Sequence, residues 1–294
     1  MKIDEIKKLS DKPHIVIVGG TKNSNGYRIY AYGGCIGIIS TENTECELAN
    51  EDYKKHIKDS DKQRELEKLL SSKNDKHKIL LSDDYINLIC EATKNKFTTI
   101  KGQHKERYQQ TEIAKCLMNL PYSEKNPFIV TDIEFTFESQ QDKNIYKPDF
   151  IAFDGKNIYL IEFKYNGKSI YADNGVKKHF EDFNNLTQNI KAKKYLYEET
   201  EKRINQLIKI NDNIKECIQK NIPNISNANL IFAFLFIGNK KETISGIQTE
   251  YGKINEQNLK ENFKNTLCWF FDDVNPEEYD FSLSSTLGEF ADLN

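Results

Sequence analysis

The sequence lacks the features that define several common classes of protein. No stretch approaches the roughly eighteen apolar residues of a membrane-spanning helix, and the N-terminus has no hydrophobic region typical of a signal peptide. The 6 cysteines form no C-x-x-C pair and the 5 histidines show no metal-ligand spacing, which argues against a zinc site and a Cys–His nucleophile. We therefore expect a cytoplasmic protein without a membrane partner.

Positive charge is absent from the end of the chain. No lysine or arginine follows Lys264, whereas seven acidic residues do, so residues 1–264 carry a net positive charge although the whole chain has a formal charge of −3. An acidic tail can compete with nucleic acid for a basic surface, or it can be an ordinary solvated C-terminus. Composition leaves both interpretations open.

The most informative feature that is present is a strand–turn–strand pattern in residues 147–165. Two apolar segments are separated by an Asp-Gly-Lys-Asn sequence, which favours a turn. Because strand side chains alternate between faces, Glu162 and Lys164 are expected on one face of the second strand. If the strands pair as a hairpin, Asp149 at the start of the first strand comes to the same end. The pattern predicts a compact Asp/Glu/Lys cluster on a rigid sheet.

These residue types suit the hydrolysis of a phosphodiester. Carboxylates are hard oxygen ligands for Mg²⁺, and a nearby ammonium can act on the attacking water and the phosphate. The alternative is a solvated strand face that carries a Glu–Lys pair. Glu162 favours the first interpretation, because it interrupts an apolar run in which a carboxylate is costly unless it is paired or bound to a metal.

Pro148-Asp149 followed by Glu162-Phe163-Lys164 resembles the motif of the PD-(D/E)xK nuclease superfamily. The resemblance covers residues 105–240. It implies an α/β fold with a restriction-endonuclease-like core in the order helix, three strands, helix, strand, around a mixed central sheet. It also implies cleavage of nucleic acid, most commonly DNA, with Mg²⁺ as cofactor and Mn²⁺ as its substitute. The residues that it assigns to the metal are Asp149, Glu162 and Phe163, and the catalytic ones include Lys164.

Sequence patterns flank the motif where that core would have its other elements. The expected elements are a helix at 106–120, a half-exposed strand at 128–138, a long helix at 175–210 and a buried strand at 230–237. A glutamate of the first helix often reaches the metal site in the family. Glu112 is therefore the first candidate for an additional catalytic acid, and Glu134 is the second; a surface role for Glu112 is the alternative.

Basic residues follow the motif in the loop and the long helix. Side chains of this kind beside a metal site can hold phosphates, but a solvated helix face explains them nearly as well. The candidates for contact with nucleic acid are Lys168, Lys177, Lys178, Lys191 and Lys194.

Three regions are predicted along the chain. Residues 1–104 form an accessory α+β region for specificity, sensing or dimerisation, with helices at 51–70 and 83–94. Residues 105–240 form the nuclease core, and residues 241–294 form a C-terminal extension with the acidic tail. The expected function is that of a type II restriction endonuclease, acting on DNA as a homodimer. The alternatives are a phage- or stress-activated defence nuclease and, in another class, a non-catalytic nucleic-acid-binding protein on a nuclease fold.

Overall fold

The chain folds into two compact units in the computed structural model. The first comprises Met1–Asn119 with Lys202–Glu216, and the second comprises Leu120–Glu201 with Cys217–Asn294. These units do not follow the boundaries expected at residues 104 and 240. The structure describes residues 3–21, 24–40, 46–73, 75–99, 103–119, 125–133, 146–166, 170, 175–220, 225–272 and 278–291.

The first unit contains an antiparallel sheet of four strands in the order β1-β2-β3-β4. Its strands are β1 (Ile15–Thr21), β2 (Ser24–Ala31), β3 (Gly34–Ser40) and β4 (Cys46–Leu48). Its helices are α1 (Ile3–Ser10), α2 (Ser60–Leu70), α3 (Lys76–Leu81), α4 (Asp83–Thr99) and α5 (Gln103–Asn119), with a 3₁₀ helix at Glu51–His56.

The turn between β2 and β3 shows how sequence sets local structure in this unit. Tyr32 and Gly33 both have positive φ angles, 51° and 92°, as a two-residue hairpin turn of the primed type requires. A Cβ atom on Gly33 would also lie 2.8 Å from the backbone of Arg107. Glycine is therefore required at this position for two independent reasons.

The helix expected at residues 51–70 is interrupted, which corrects the prediction. The 3₁₀ helix ends at His56, and Asp59 then adopts an extended conformation and caps α2 by accepting hydrogen bonds from the N–H groups of Asp61 and Lys62. The first N–H groups of a helix have no partner within the helix, and an aspartate at the N-cap position accepts hydrogen bonds from them. Asp59 therefore favours the start of a new helix over the continuation of the preceding one. The expected helix at 83–94 is present and extends to Thr99.

The second unit contains a mixed sheet of six strands in the order β10-β9-β8-β7-β6-β5. β6 runs antiparallel to both of its neighbours, β5 and β7, whereas β7, β8 and β9 run parallel. The α/β class is therefore as expected. The strands are β5 (Ile129–Ile133), β6 (Phe150–Phe153), β7 (Asn157–Tyr165), β8 (Asn229–Ile237), β9 (Leu267–Phe271) and β10 (Ser285–Thr286).

The strands of this sheet are more buried than expected at one edge. All five residues of β5 are buried, so the half-exposed strand expected from residue 128 is wrong for this part, and residues 134–138 lie outside the described residues. β8 is a largely apolar strand parallel to β7, with its last six residues buried. The burial of β8 agrees with a central strand that has no solvated face, and the burial of β5 shows that this edge of the sheet is covered as well.

The long helix expected at residues 175–210 is also two helices. α6 (Val176–Gln188) and α7 (Ile190–Leu207) meet at Asn189, whose backbone is extended with φ −88° and ψ 100°. The Asn189 side chain accepts a hydrogen bond from the N–H of Ala192 at 3.0 Å, so this residue ends one helix and caps the next. The α7 helix continues past residue 201 into the part of the chain assigned to the first unit.

The C-terminal residues complete the second unit. The strands β9 and β10 belong to the same sheet as the hairpin, and β9 contributes Cys268 and Trp269 to its core. The remaining helices are α8 (Asp212–Lys220), α9 (Lys240–Gly252), α10 (Gln257–Lys264) and α11 (Gly288–Ala291). None of the helices described combines the length and the apolarity needed to cross a membrane.

Candidate active site

The hairpin of β6 and β7 positions the candidate site. The strands pair antiparallel from Phe153 opposite Ile158 to Phe150 opposite Ile161, as the sequence predicts. Asp154 closes the turn, because its Oδ1 accepts hydrogen bonds from the N–H groups of Lys156 and Asn157 at 2.8 and 2.7 Å. The register fixes which residues meet at the open end of the hairpin.

Asp149 lies at that open end, one residue before β6 begins. Continuing the register by one position would place it opposite Glu162, and the charge of Glu162 raises the pKa of Asp149, so the two carboxyl groups lie near one another. The Oδ2 atom of Asp149 accepts a hydrogen bond from the N–H of Phe163 at 2.8 Å. Pro148, the preceding residue, has no N–H to donate to a neighbouring strand. The backbone pairing of the hairpin ends at Phe150, and the hydrogen bond that Asp149 accepts from Phe163 takes its place where the motif begins.

Glu162 and Lys164 emerge on one face of β7, as strand alternation predicts. The Nζ of Lys164 lies 3.8 Å from Oε2 of Glu162, and their side chains are 8% and 1% exposed. A solvated strand face does not fit these values. The pair is a buried ionic contact, and burial makes its charges interact more strongly than they would in water.

His179 of α6 belongs to the same cluster, and sequence reasoning missed it. Its Nδ1 lies 3.2 Å from Oε2 of Glu162, and its Nε2 lies 3.0 Å from Nζ of Lys164. No spacing rule connects a helix residue to a strand that lies fifteen positions earlier. The signal that could have found it is the need of a buried carboxylate for a second polar partner.

Burial and electrostatic repulsion in the cluster disfavour the ionised form of Asp149 beside Glu162. Burial, together with the charge of Glu162, raises the pKa of Asp149 to about 8, against the opposing influence of Lys164 and the Phe163 N–H group. Burial and the charge of Glu162 also hold the pKa of the Tyr146 hydroxyl well above its usual range. A carboxyl group whose pKa is raised by a neighbouring carboxylate marks a site at which a cation is favoured.

The donor atoms fit a hard divalent cation. Asp149, Glu162 and the main-chain carbonyl of Phe163 supply oxygens at one end of the hairpin. In the part of the chain that the structure describes, no group of three or more His, Cys, Asp or Glu side chains is arranged to hold a metal. A site built on two carboxylates suits Mg²⁺, which keeps several water ligands and commonly uses one or two carboxylates with substrate phosphates.

The two candidates for an additional acid are placed differently. Glu112 lies on α5 in the first unit, where its carboxylate oxygens are both 3.0 Å from Nδ1 of His14. The structure thus pairs Glu112 with His14 within the first unit, whereas the cluster belongs to the second. Glu134 lies outside the described residues. Asp132, two positions earlier, is fully buried in β5 and accepts a hydrogen bond from the N–H of Ile133.

Most of the candidate lysines have acidic partners on their own helix. Lys177 lies 3.6 Å from Glu181, and Lys194 lies 3.7 Å from Glu198, each one helical turn away. Lys178 pairs in the same way with Asp182. Lys191 is exposed, and Lys168 lies outside the described residues. The i,i+4 pairs are what a solvated helix face would show.

The assembled cluster consists of Asp149, Glu162, Lys164 and His179. Its carboxylates come from one hairpin, and its histidine comes from the helix that follows. The arrangement can hold a divalent cation beside an ammonium group in a largely buried setting. Comparison of the chain with protein-family models, with curated proteins and with solved structures finds no match.

Proposed function

We propose that this protein is a Mg²⁺-dependent endonuclease that hydrolyses phosphodiester bonds of DNA. The observation that carries the proposal is the meeting of Asp149 and Glu162 at the open end of one hairpin, with the Nζ of Lys164 3.8 Å from Glu162. Two carboxyl groups and one amine lie close together, although each comes from a segment rich in apolar residues. A structural ion pair would need no second carboxylate.

Each residue has a distinct task in this proposal. Asp149 and Glu162 hold the cation through their oxygens, and the Phe163 carbonyl completes the protein's share of the ligands. A bound Mg²⁺ would offset charge on the phosphate and supply an acidified water molecule. Lys164 would place its ammonium group beside the scissile phosphate and would stabilise the charge that develops in the transition state.

The order of elements supports the proposal. The helix α5 precedes β5, β6 and β7, the helices α6 and α7 follow, and β8 then pairs parallel with β7. Along the chain, helix, three strands, helix and strand is the order that the resemblance to PD-(D/E)xK nucleases implies, although α5 belongs to the first unit and the strands belong to the second. The order of helices and strands and the motif are independent observations, because the pairing of strands does not depend on which polar residues the strands carry.

Within this class, we propose a restriction endonuclease that recognises a fixed DNA sequence. The test is to incubate the purified protein with plasmid, genomic and single-stranded DNA, in Mg²⁺, in Mn²⁺ and in EDTA, and to sequence the ends. Fixed ends that depend on a divalent cation are expected. Ragged ends would instead indicate a defence effector, and binding without cleavage in either metal would indicate a non-catalytic protein.

The matched controls are Asp149→Ala and Glu198→Gln. The first removes a proposed ligand, and the second removes an exposed carboxylate of α7. Cleavage is expected to disappear in the first variant and to persist in the second. Cleavage by Asp149→Ala at the wild-type rate would show that the activity resides elsewhere.

A further inference from the structure

His179 contacts two groups of the candidate site at once. Its Nδ1 faces the carboxylate of Glu162 at 3.2 Å, and its Nε2 faces the ammonium group of Lys164 at 3.0 Å. The two partners have opposite hydrogen-bonding characters, because an ionised carboxylate only accepts and an ammonium group only donates. The ring is therefore placed between an acceptor and a donor.

This placement selects one form of the imidazole ring. An Nδ1–H group can donate to Glu162 while an unprotonated Nε2 accepts from Lys164, so both contacts are favourable. The other neutral tautomer would set a lone pair against the carboxylate and an N–H against the ammonium group, and both contacts would fail. The doubly protonated ring would satisfy Glu162 but would direct its Nε2–H at Lys164.

The same contacts restrict the two neighbouring side chains. Glu162 is held by one oxygen, and one of the three N–H bonds of Lys164 is directed at the helix α6. A lysine has many rotamers of similar energy, and each contact that selects one of them makes a reactive geometry easier to reach. The imidazole ring thus orients the amine and the carboxylate with a single side chain.

We propose that His179, as the Nδ1–H tautomer, is a positioning residue that holds Glu162 and Lys164 in the arrangement needed for hydrolysis. The proposal rests on the proposed function for its catalytic consequence. The tautomer itself does not, since it follows from the contacts in the protein alone. Partners of this kind behind a metal ligand typically change affinity or activity about tenfold to a hundredfold when they are removed.

The location of His179 makes the residue accessible to substitution. Its side chain is 17% exposed, so replacing it does not open a cavity in the centre of the sheet. His179→Gln retains one acceptor and one donor in a single amide group, whereas His179→Leu has similar bulk and neither. Asn185→Leu, at an exposed position of the same helix, controls for the introduction of a leucine on α6.

The first measurement is the ¹⁵N–¹H correlation spectrum of the histidine rings in the metal-free protein, with the His179 signals assigned by their disappearance in His179→Gln. A protonated Nδ1 and an unprotonated Nε2 are expected. A protonated Nε2 would overturn the proposal whether or not the protein cleaves DNA.

The second measurement is single-turnover DNA cleavage at saturating Mg²⁺, together with the melting temperature of each variant. His179→Leu is expected to cut about tenfold to a hundredfold more slowly than Asn185→Leu, and His179→Gln is expected to recover most of that loss. Equal rates for His179→Leu and wild type would overturn the positioning role and leave the nuclease proposal intact. Failure of the wild type to cleave would instead overturn the proposed function, with the tautomer still tested by the spectrum.

Discussion

The surroundings of Asp149 disfavour the charged form of its carboxyl group in the metal-free protein. Its pKa in the folded chain is raised to about 8, whereas an unfolded aspartate titrates near about 4. The folded state therefore retains the proton to higher pH than the unfolded state. Stability from this group is fully present below about pH 4 and is lost as the pH rises towards 8.

The prediction is that Asp149→Asn stabilises the metal-free protein, increasingly as the pH rises from about 4 to about 8. Asparagine does not ionise, and its oxygen can still accept from the Phe163 N–H group. We expect a gain of at least about 1.4 kcal/mol at the upper end of this range, the equivalent of one pKa unit. Urea unfolding in EDTA at several pH values measures it, with Glu198→Gln as the control. Parallel pH profiles for the variant and the wild type would contradict the assignment of this charge.

Lys164 is expected to affect turnover far more than binding of the cation. Lysine is not a ligand for Mg²⁺, so Lys164→Ala leaves Asp149 and Glu162 able to hold the ion, whereas the positive charge near the phosphate is removed. Single-turnover cleavage and calorimetric Mg²⁺ titration on the same variant separate the two effects. An equal decrease in rate and in metal binding would make Lys164 a structural residue.

At the residue scale, period-two alternation was sufficient to place Glu162 and Lys164 together, and the turn fixed Asp149 near them. His179 could not be found in this way, because its contact depends on how α6 is rotated against the sheet. The prediction for Glu112 depends on the family resemblance alone, and its carboxylate contacts His14 within the first unit. The local sequence pattern predicts which side chains share a face of one strand. Contacts between different elements depend on how those elements pack, which the local pattern does not give.

At the element scale, the junction between α6 and α7 was missed because helical periodicity continues through it. Asn189 is exposed, so its capping role does not alter the apolar pattern. The same reason explains the interrupted helix at 51–70, where Asp59 is a cap inside a charged run. The strands were found more readily, because the hairpin and β8 are dense in apolar residues and bounded by turn signals.

The prediction for this junction is that Asn189→Ala lowers the free energy of unfolding by about 1 kcal/mol, the usual effect of removing a side-chain cap. Urea unfolding measures it, and Gln188→Ala, at the preceding exposed position, serves as the control with an expected change near zero. A more stable Asn189→Ala variant would indicate one continuous helix in solution.

The basic face of α7 can be tested through the salt dependence of DNA binding. Lys191→Glu with Lys194→Glu is expected to weaken binding and to reduce the slope of log K against log salt by about one unit for each phosphate that is no longer neutralised. Fluorescence anisotropy on labelled duplex at several salt concentrations measures the slope. An unchanged slope would leave these lysines with their role on a solvated helix face, as the Lys194–Glu198 pair already suggests for one of them.

At the scale of the whole molecule, the order of helices and strands from α5 to β8 along the chain could be predicted from the sequence, and the two units could not. Residues 202–216 belong to the first unit although they follow the hairpin in the chain, and β9 joins the sheet from a region expected to be an extension. Both features depend on contacts between residues that are far apart in the sequence, whereas a periodic pattern describes only neighbouring positions. The resemblance and the order of helix and strand patterns could place the chain among α/β proteins, but they could not assign distant segments to units.

The central claim is that Asp149 and Glu162 hold a divalent cation for phosphodiester hydrolysis, and Glu162→Gln tests it most directly. Glutamine keeps the shape of the side chain and an oxygen that can accept from His179 and Lys164, but it removes the charge. The measurement is the single-turnover rate of DNA cleavage in saturating Mg²⁺, beside Glu198→Gln. The account predicts a decrease of at least about a hundredfold in Glu162→Gln, roughly 3 kcal/mol of transition-state stabilisation, and no decrease in the control. A Glu162→Gln protein that is folded and cleaves at the wild-type rate would contradict the account.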